Sequence, residues 1–310
     1  MKYKLLLSAA LAFTLQACTT AQANDAAVAS TPPVAAAPAE SVGKAVPALW
    51  KVSDEDTTVY LFGTVHLLPE DRQWVTEEMS AALSSADTLV TELVPGEVTN
   101  PANQQYIASI GTLPEGQTLR SMLDDEQRTA YEAALTKYGV PVAALDRFEP
   151  WMANITLGVL PLMKAGYKME AGVEQVVEAR APADSTREAL ETFNFQMDMF
   201  DTLPMDEQVK LLMTTVRGID EVVPTLDSMV EEWAEGDELA LAALMNKGIS
   251  SPVLADVLLY SRNETWADWI SERMDAPGTV FMAVGAGHLA GEKSVQDFLS
   301  QSGLTVTRVQ

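Results

Sequence analysis

Cysteine and histidine are both scarce in this sequence. Of its 310 residues, one is cysteine, Cys18, and two are histidine. Cys18 lies in an N-terminal segment that we expect to be processed, so the folded part is predicted to contain neither a disulfide nor a thiolate metal site. A transition metal held by one chain would therefore need imidazole and carboxylate ligands.

Basic residues are also few. The sequence has 20 Lys and Arg against 44 Asp and Glu, which gives a formal net charge of −24. Such a charge repels phosphate, and no cluster of Lys and Arg reverses it locally, so nucleic acid is not expected as a partner. Solubility alone is a sufficient explanation for the acidity.

The N-terminus has an apolar run that is too short to cross a membrane. Lys2 and Lys4 precede apolar residues 5–15, whereas a membrane-spanning helix needs about 20 apolar residues. The order of basic, apolar and small residues is typical of a secretory signal. The protein is therefore predicted to be exported.

Two signal cleavage sites are possible. The sequence Leu-Gln-Ala-Cys at 15–18 resembles a bacterial lipobox, which would make residues 1–17 a lipoprotein signal peptide and Cys18 the lipidated first residue. We favour this site and expect an outer-membrane lipoprotein that faces the periplasm, because Thr19 and not Asp follows Cys18. Cleavage after Ala23, at the alternative Ala-Gln-Ala site, would instead give a periplasmic or secreted protein.

Residues 18–47 are rich in Ala and Pro and have no periodicity, which predicts a flexible tether. Residues 48–310 are predicted to form the folded domain. Its N-terminal part has a strand pattern at 57–62, a helical stripe at 74–83 and a second strand at 88–93. Its C-terminal part has strands at 278–284 and 304–309 around a short helix. We therefore predict an α/β fold, with a mixed β-sheet formed by the N- and C-terminal parts and a helical middle region.

One helix of this middle region, predicted at 151–165, is apolar nearly all round. It is too short for a membrane span, so it is interpreted as a buried or groove-lining helix. We expect it to form a wall of the substrate groove.

The two histidines occur in matching positions. His66 and His288 each stand three residues after a glycine, Gly63 or Gly285, that follows an apolar strand. A glycine there lets the backbone turn freely, so both imidazoles can project over the carboxyl ends of their strands. A lone histidine would more often be an ordinary core or surface residue. Two in matching positions, with no others in the chain, predict one shared site.

Glu92 is the predicted third member of this site. It ends the strand at 88–93, which is expected to lie beside the strand that precedes His66. Two histidines and one carboxylate bind Mn, Fe, Co or Zn ions with positions left open for water. Because such an ion makes its water a better nucleophile and polarises a carbonyl, hydrolysis is the natural chemistry.

Arg262 is a permanent cation just before a predicted helix. It could hold a substrate carboxylate or a developing oxyanion. A surface ion pair with one of the many acidic residues is an equally good interpretation.

These residues together resemble the TraB/GumN family, within the Tiki-like metallopeptidase superfamily, and indicate a bacterial GumN-type lipoprotein. The similarity extends over almost everything after the tether. Its motifs are Trp50, Tyr60 to His66, Glu92, Gly172-Val173-Glu174, Leu190-Glu191-Thr192, Leu203-Pro204, Ser261-Arg262-Asn263 with Trp266, and Ala283 to Glu292.

The resemblance implies an α/β fold in which both GxxH elements serve one site, and in the Tiki branch that site performs metal-dependent proteolysis with Mn or Co. It implies His66 and His288 as metal ligands, Glu92 as ligand or general base, and Arg262 as an electrostatic partner. Glu174 stands where the family often has Asp, and its longer side chain makes a catalytic role less secure. Glu191 is a second reserve carboxylate, and Asn263 completes the Arg-Asn pair.

The sequence thus predicts an extracytoplasmic hydrolase, a peptidase that depends on Mn, Co or Zn and is anchored to a membrane by its lipid. Two alternatives stay open. One is an esterase or amidase acting on a non-peptide substrate. The other is a non-catalytic binding protein for a secreted peptide, saccharide or metal complex. The oligomeric state is not indicated.

Overall fold

The folded domain begins slightly before its predicted boundary. The computed structural model describes residues 45–70, 72–248 and 251–310. The predicted signal peptide, Cys18, both cleavage sites and the tether up to residue 44 lie outside these ranges. Residues 45–47, predicted as the end of the tether, pack on the domain: Ala45 is buried, and the Val46 N–H donates to the Ala234 carbonyl at 2.7 Å.

A six-stranded mixed sheet forms the centre of the domain. Its strands lie in the order β6-β4-β7-β2-β1-β8, with β6, β4, β7 and β2 parallel to one another and β1 antiparallel to both neighbours. A separate antiparallel pair joins β3 to β5. The strands are β1 Leu49–Ser53, β2 Thr57–Thr64, β3 Leu68–Pro69, β4 Thr88–Thr91, β5 Tyr167–Lys168, β6 Thr186–Ala189, β7 Gly278–Gly285 and β8 Val306–Arg308.

Most of the chain between β4 and β7 is helical, so the predicted fold is confirmed. The helices are α1 Glu77–Ser84, α2 Pro101–Ile110, α3 Asp125–Lys137, α4 Pro150–Lys164, α5 Val173–Arg180, α6 Phe193–Asp201, α7 Met205–Arg217, α8 Val222–Glu235, α9 Glu238–Gly248, α10 Pro252–Ala255, α11 Ser261–Arg273 and α12 Val295–Gln301. Asp256–Tyr260 forms a π-helical turn between α10 and α11. In the described ranges, no helix combines the length and apolarity needed to cross a membrane.

The strand order differs from the prediction at one point. We expected β4 beside β2, but β7 lies between them and pairs with both in parallel. Val280, Phe281 and Met282 show the reason, because all three are buried and a strand that is apolar on both faces is favoured at the centre of a sheet. The carboxyl ends of β2, β7 and β4 therefore open at one edge, with the end of β7 in the middle.

Alternate residues of the central strands pack on opposite faces. On one face, Phe62 stacks on Trp74 at 5.7 Å between ring centroids, and Trp74 meets Trp233 of α8 edge-on at 5.6 Å. On the other face, Leu61 and Met282 pack in a cluster with Trp266 of α11. Helices thus cover both faces and leave the carboxyl edge as the place where polar side chains gather.

Helix α4 does not form a wall of either main cavity, so this prediction is wrong for both of them. Ala153 and Leu157 pack in a cluster with α3 and α7, while Trp151 and Ile155 pack in another with α6. Its C-terminal part, with Val159 and Leu162, packs in a third cluster against the sheet face of Phe62. The helix is apolar all round because it packs in all three clusters.

Candidate functional site

The two GxxH elements meet because their glycines leave room for close approach. A Cβ on Gly63 would lie 3.0 Å from the Cα and Cβ of Ala286, and a Cβ on Gly285 would lie 3.0 Å from a carboxylate oxygen of Glu92. In the sheet, Thr64 is paired with Gly285. The two glycines are therefore needed for space between neighbouring segments, and neither has a positive φ.

His66 is paired with a carboxylate from the next part of the chain. Its Nδ1 lies 2.6 Å from Glu174 Oε1, and the two side chains are 31% and 24% exposed. Glu174 stands in the first turn of α5, where the helix dipole favours a negative charge. Burial alone would lower the pKa of His66, but the charge and hydrogen bond of Glu174 outweigh it and raise the pKa to about 9.

The segment that carries Glu174 is fitted closely to the His66 loop. The Val173 N–H donates to the Val65 carbonyl at 3.0 Å. A Cβ on Gly172 would stand only 2.3 Å from the His66 carbonyl oxygen. A side chain at position 172 would therefore clash with the backbone of His66, which cannot move aside as a flexible side chain could.

We expect Gly172→Ala to destabilise the protein by about 1–3 kcal/mol, as overpacking does, and to lower any activity by displacing His66. Gly116→Ala is the control, because Gly116 has φ +85° with open space around it and tests backbone strain alone. Thermal unfolding and turnover are measured for both variants. If Gly172→Ala and Gly116→Ala lose the same amount of activity, the loss in Gly172→Ala does not come from displacement of His66.

Arg262 uses all five of its N–H donors within the protein. Nε donates to Glu191, Nη2 to both Glu191 and Glu92, and Nη1 to the Leu258 carbonyl and towards His288 Nε2, at distances from 2.7 to 3.1 Å. Leu258 lies in the π-helical turn, and its carbonyl is within reach of Nη1. Arg262 is only 8% exposed. As an electrostatic partner it suits the site, whereas no donor remains to clamp a substrate carboxylate.

His288 is held in one tautomer. Its Nδ1 lies 2.6 Å from Asn263 Oδ1, an atom that only accepts, so Nδ1 carries the proton and Nε2 presents its lone pair. The Asn263 amide also donates to the Lys293 carbonyl at 2.7 Å, and the imidazole packs on Trp266 at 4.2 Å between ring centroids. Burial and Arg262 lower the pKa of His288 to about 3.

One expectation about the histidines needs correction. Because both histidines follow glycines at strand ends, the sequence favours loop positions outside the core for both, which is correct for the partly exposed His66. His288 is only 5% exposed, so the prediction is wrong there. The reason is the second GxxH loop, a turn of 3₁₀-helix that folds under α11 and buries the ring. Replacing His288 would therefore disturb packing as well as chemistry.

Glu92 connects the two halves of the site. Its Oε1 accepts from the Gly285 N–H at 2.7 Å, and its Oε2 accepts from Arg262 Nη2 at 2.7 Å and Gln196 Nε2 at 2.9 Å. Oε1 also lies 3.9 Å from His288 Nε2. Burial favours the neutral acid, but Arg262, the two histidines and the Gly285 N–H together outweigh it and hold the pKa of Glu92 well below its usual range.

Glu191 and Gln196 complete the network. Glu191 accepts from Arg262, from Trp266 Nε1 at 3.0 Å and from Gln196 Nε2 at 2.8 Å, which places it as a buried support for Arg262. Gln196 bridges the carboxylates of Glu191 and Glu92 and was not singled out from the sequence. Its only signal there is its position on the apolar face of the helix Phe193–Asp201, three residues after Phe193 and four before Phe200.

The predicted metal ligands have suitable donor atoms for a transition metal, but these atoms are not arranged around a common point. Each histidine has its Nδ1 held by an acceptor, as metal-binding histidines usually do. The single lone pair of His288 Nε2, however, faces the Arg262 guanidinium at 3.1 Å. Within the described ranges, no group of three His, Asp or Glu side chains is placed to hold a metal ion.

Two cavities meet at the cluster, and both are lined by Thr64, His66, Glu92 and Gln196. The first cavity continues past Leu93, Val98 and Met169. The second continues past Arg262 and His288 under α6, α8, α9 and the π-helical turn. The helical middle does cover the site, but through these elements and not through α4.

The fold and site define an α/β protein in which two GxxH strand ends bring their histidines to one cluster of carboxylates and arginine. The chain belongs to the TraB/PrgY/gumN family, whose family model matches residues 48–308. It is similar to an uncharacterized protein of Treponema pallidum (strain Nichols), with 22% identity over 271 residues that cover 82% of this chain and 80% of that protein. No solved structure matches the chain at a significant level.

Proposed function

We propose that the protein is an extracytoplasmic hydrolase that cleaves amide bonds in peptides. One observation carries the proposal: His66 is held at Nδ1 by Glu174 and lies with Glu92 where the two cavities meet. A bond bound across this point would have a proton-carrying imidazole and a carboxylate beside it, as general acid and base catalysis requires.

The side chains then have distinct roles. With its pKa raised to about 9, His66 holds a second proton at neutral pH and can donate it from Nε2 to the leaving nitrogen. Glu92 stays ionised beside Arg262. It is the candidate acceptor of a proton from the attacking water, and this role requires its contact with Arg262 to lengthen during the reaction, because its low pKa makes it a weak base in the present arrangement. Arg262 and Asn263 are positioning residues, because they hold Glu92 and His288 respectively.

Dependence on Mn, Co or Zn belongs to the same proposal and is supported by the chemistry of the donors, not by their present arrangement. His66, His288 and Glu92 are the candidate ligands; His66 would have to release its second proton to bind an ion, and the ion would then replace that proton as the group that polarises the substrate. A bound ion would supply an activated water and polarise the carbonyl. Binding would require His288 to turn from Arg262, because its Nε2 has one lone pair.

Export through the N-terminal signal, lipidation at Cys18 and a position on the outer membrane facing the periplasm also belong to the proposal. Their support is the order of basic, apolar and small residues before Cys18.

The test is turnover of a panel of peptides and simple esters by the purified protein. It is assayed after exhaustive chelation and after addition of Mn, Co or Zn, with products identified by mass spectrometry. We expect peptide products from the metal-loaded protein and little turnover after chelation. Full turnover after chelation would contradict the metal dependence alone. Cleavage of esters only would favour the esterase alternative, and binding without any product would favour the non-catalytic alternative.

A further inference from the structure

The second cavity differs in character from the site onto which it opens. Beyond the site, its walls are apolar and rich in methionine, and they come from four elements: Met199, Leu226, Met229, Met245, Leu258 and Leu259. Among the described residues that line it, the charged or titratable ones are His66, Glu92, Arg262 and His288, all of which belong to the site. This is an unusual surface in a protein with 44 acidic residues.

The first cavity is more polar. Its lining includes the carboxylates Glu174 and Glu178 and the amide of Gln175, together with apolar side chains such as Val98 and Met169. The two cavities therefore provide different chemical environments on the two sides of His66 and Glu92. A ligand bound across the site would meet a mixed surface on one side and an apolar one on the other.

The apolar walls indicate what the second cavity would bind. Apolar cavities with a few convergent polar groups at one end are typical ligand sites, in which the polar groups orient the ligand. Methionine side chains are flexible and polarisable, so they adapt to apolar groups of different shape. Such walls favour large aliphatic and aromatic groups as a class, and they disfavour a charged group because it would lose its hydration without gaining a partner.

We infer that the protein binds an extended peptide across the two cavities, with one large aliphatic or aromatic side chain in the second cavity beside the cluster of His66 and Glu92. The inference rests on the proposed function for its claim that a peptide bond near that side chain is the one cleaved. Binding itself does not require turnover. Preference for a bulky apolar residue next to the cleaved bond is the resulting specificity.

The test uses ten-residue Gly/Ser peptides that differ only in one central residue: Leu, Phe, Ala or Asp. Dissociation constants are measured by titration calorimetry, and kcat/KM is measured where product forms. We expect the Leu and Phe peptides to bind at least about tenfold more tightly than the Ala and Asp peptides, as expected when apolar groups fill a pocket. The same ratio should appear in kcat/KM.

Met229→Trp places a larger side chain in the second cavity and should remove most of this preference. Met163→Trp is the matched control, because Met163 is 60% exposed on α4 and lines neither cavity. We expect the control to keep the wild-type ratio. Equal affinity for all four peptides, no binding of any peptide, or an unchanged ratio in Met229→Trp would overturn the inference. Tighter binding of the Leu and Phe peptides without any product would support this inference and contradict the hydrolase proposal. Cleavage of all four peptides without preference would support the hydrolase proposal and contradict this inference.

Discussion

His66→Ala is expected to lower kcat/KM on a cleaved peptide by about 10²–10⁴-fold, the usual contribution of a positioned acid or base. The imidazole lines both cavities, and within the described ranges it has no hydrogen-bond partner at Nε2. The substitution thus removes the group best placed to donate a proton. Steady-state kinetics on the wild type and the variant give the comparison.

Two controls separate chemistry from folding. Because the His66 side chain is 31% exposed, the melting temperature should change much less in His66→Ala than in His288→Ala, where a buried ring on Trp266 is lost. Glu174→Gln keeps an acceptor for Nδ1 but removes the charge that raises the pKa of His66, so we expect an intermediate loss of activity. If His66→Ala retains wild-type kcat/KM, His66 has no role in the reaction.

Arg262→Met is expected to destabilise the protein by about 3–5 kcal/mol, the cost of removing one partner of a buried ion pair. Arg262, Glu92 and Glu191 have side chains that are 8%, 15% and 5% exposed. Without the guanidinium, two carboxylates stay buried side by side, and the Leu258 carbonyl loses a donor. Chemical denaturation of wild type and variant gives the difference in the free energy of unfolding.

The size of this loss should depend on pH. In the wild type, burial opposes the charge of Glu92, but Arg262, with further contributions from the histidines and the Gly285 N–H, holds its pKa below the unfolded value. This carboxylate therefore stabilises the fold above the unfolded pKa and stops doing so as pH falls. In the variant, burial still raises the pKa of Glu92 while the largest contribution that opposes it is lost, so the pKa rises and the ionised carboxylate costs stability. The stability difference should therefore be larger at pH 8 than at pH 5.

Arg128→Met is the matched control for this loss. Arg128 pairs with Asp125 on the surface of α3, with side chains 42% and 96% exposed, and such pairs contribute about 0–1 kcal/mol. A similar stability loss in both variants, or a loss in Arg262→Met that does not change with pH, would contradict the buried-charge explanation.

Local sequence patterns were sufficient to predict most of the elements. Alternating β-branched and aromatic residues predicted β2, and the apolar run 278–284 predicted β7 almost to its ends. The order of strands was less accessible, because a strand pattern shows which faces are buried but not which strand lies beside it. Strand β7 lies between β2 and β4 because both of its faces are apolar. The sequence shows that apolar character but does not show which strands pair with β7.

The sequence was sufficient to identify most residues of the site but not the contacts between them. His66 and His288 were identified from their rarity and matching positions, Glu92 from its position at a strand end, and Arg262 as a permanent cation before a helix. The resemblance added Glu174, Glu191 and Asn263, and the structure brings all seven to one edge. Pairing was not predictable: the carboxylate on His66 comes from 108 positions further along the chain. Gln196 and the Leu258 carbonyl were missed, because a bridging amide and a π-helical turn leave no distinct pattern of residue types.

The position of β7 affects when this protein can fold. Strand β7 pairs with β2 along all eight of its residues, Gly278–Gly285, and also with β4, yet it begins 277 residues into a chain of 310. Until it is made, β2 and β4 have no common neighbour and present unpaired edges, which favour aggregation. Such long-range pairing slows folding. The centre of the sheet can therefore form only after β7 has been synthesised, and loss of residues 278–310 is equivalent to loss of that centre.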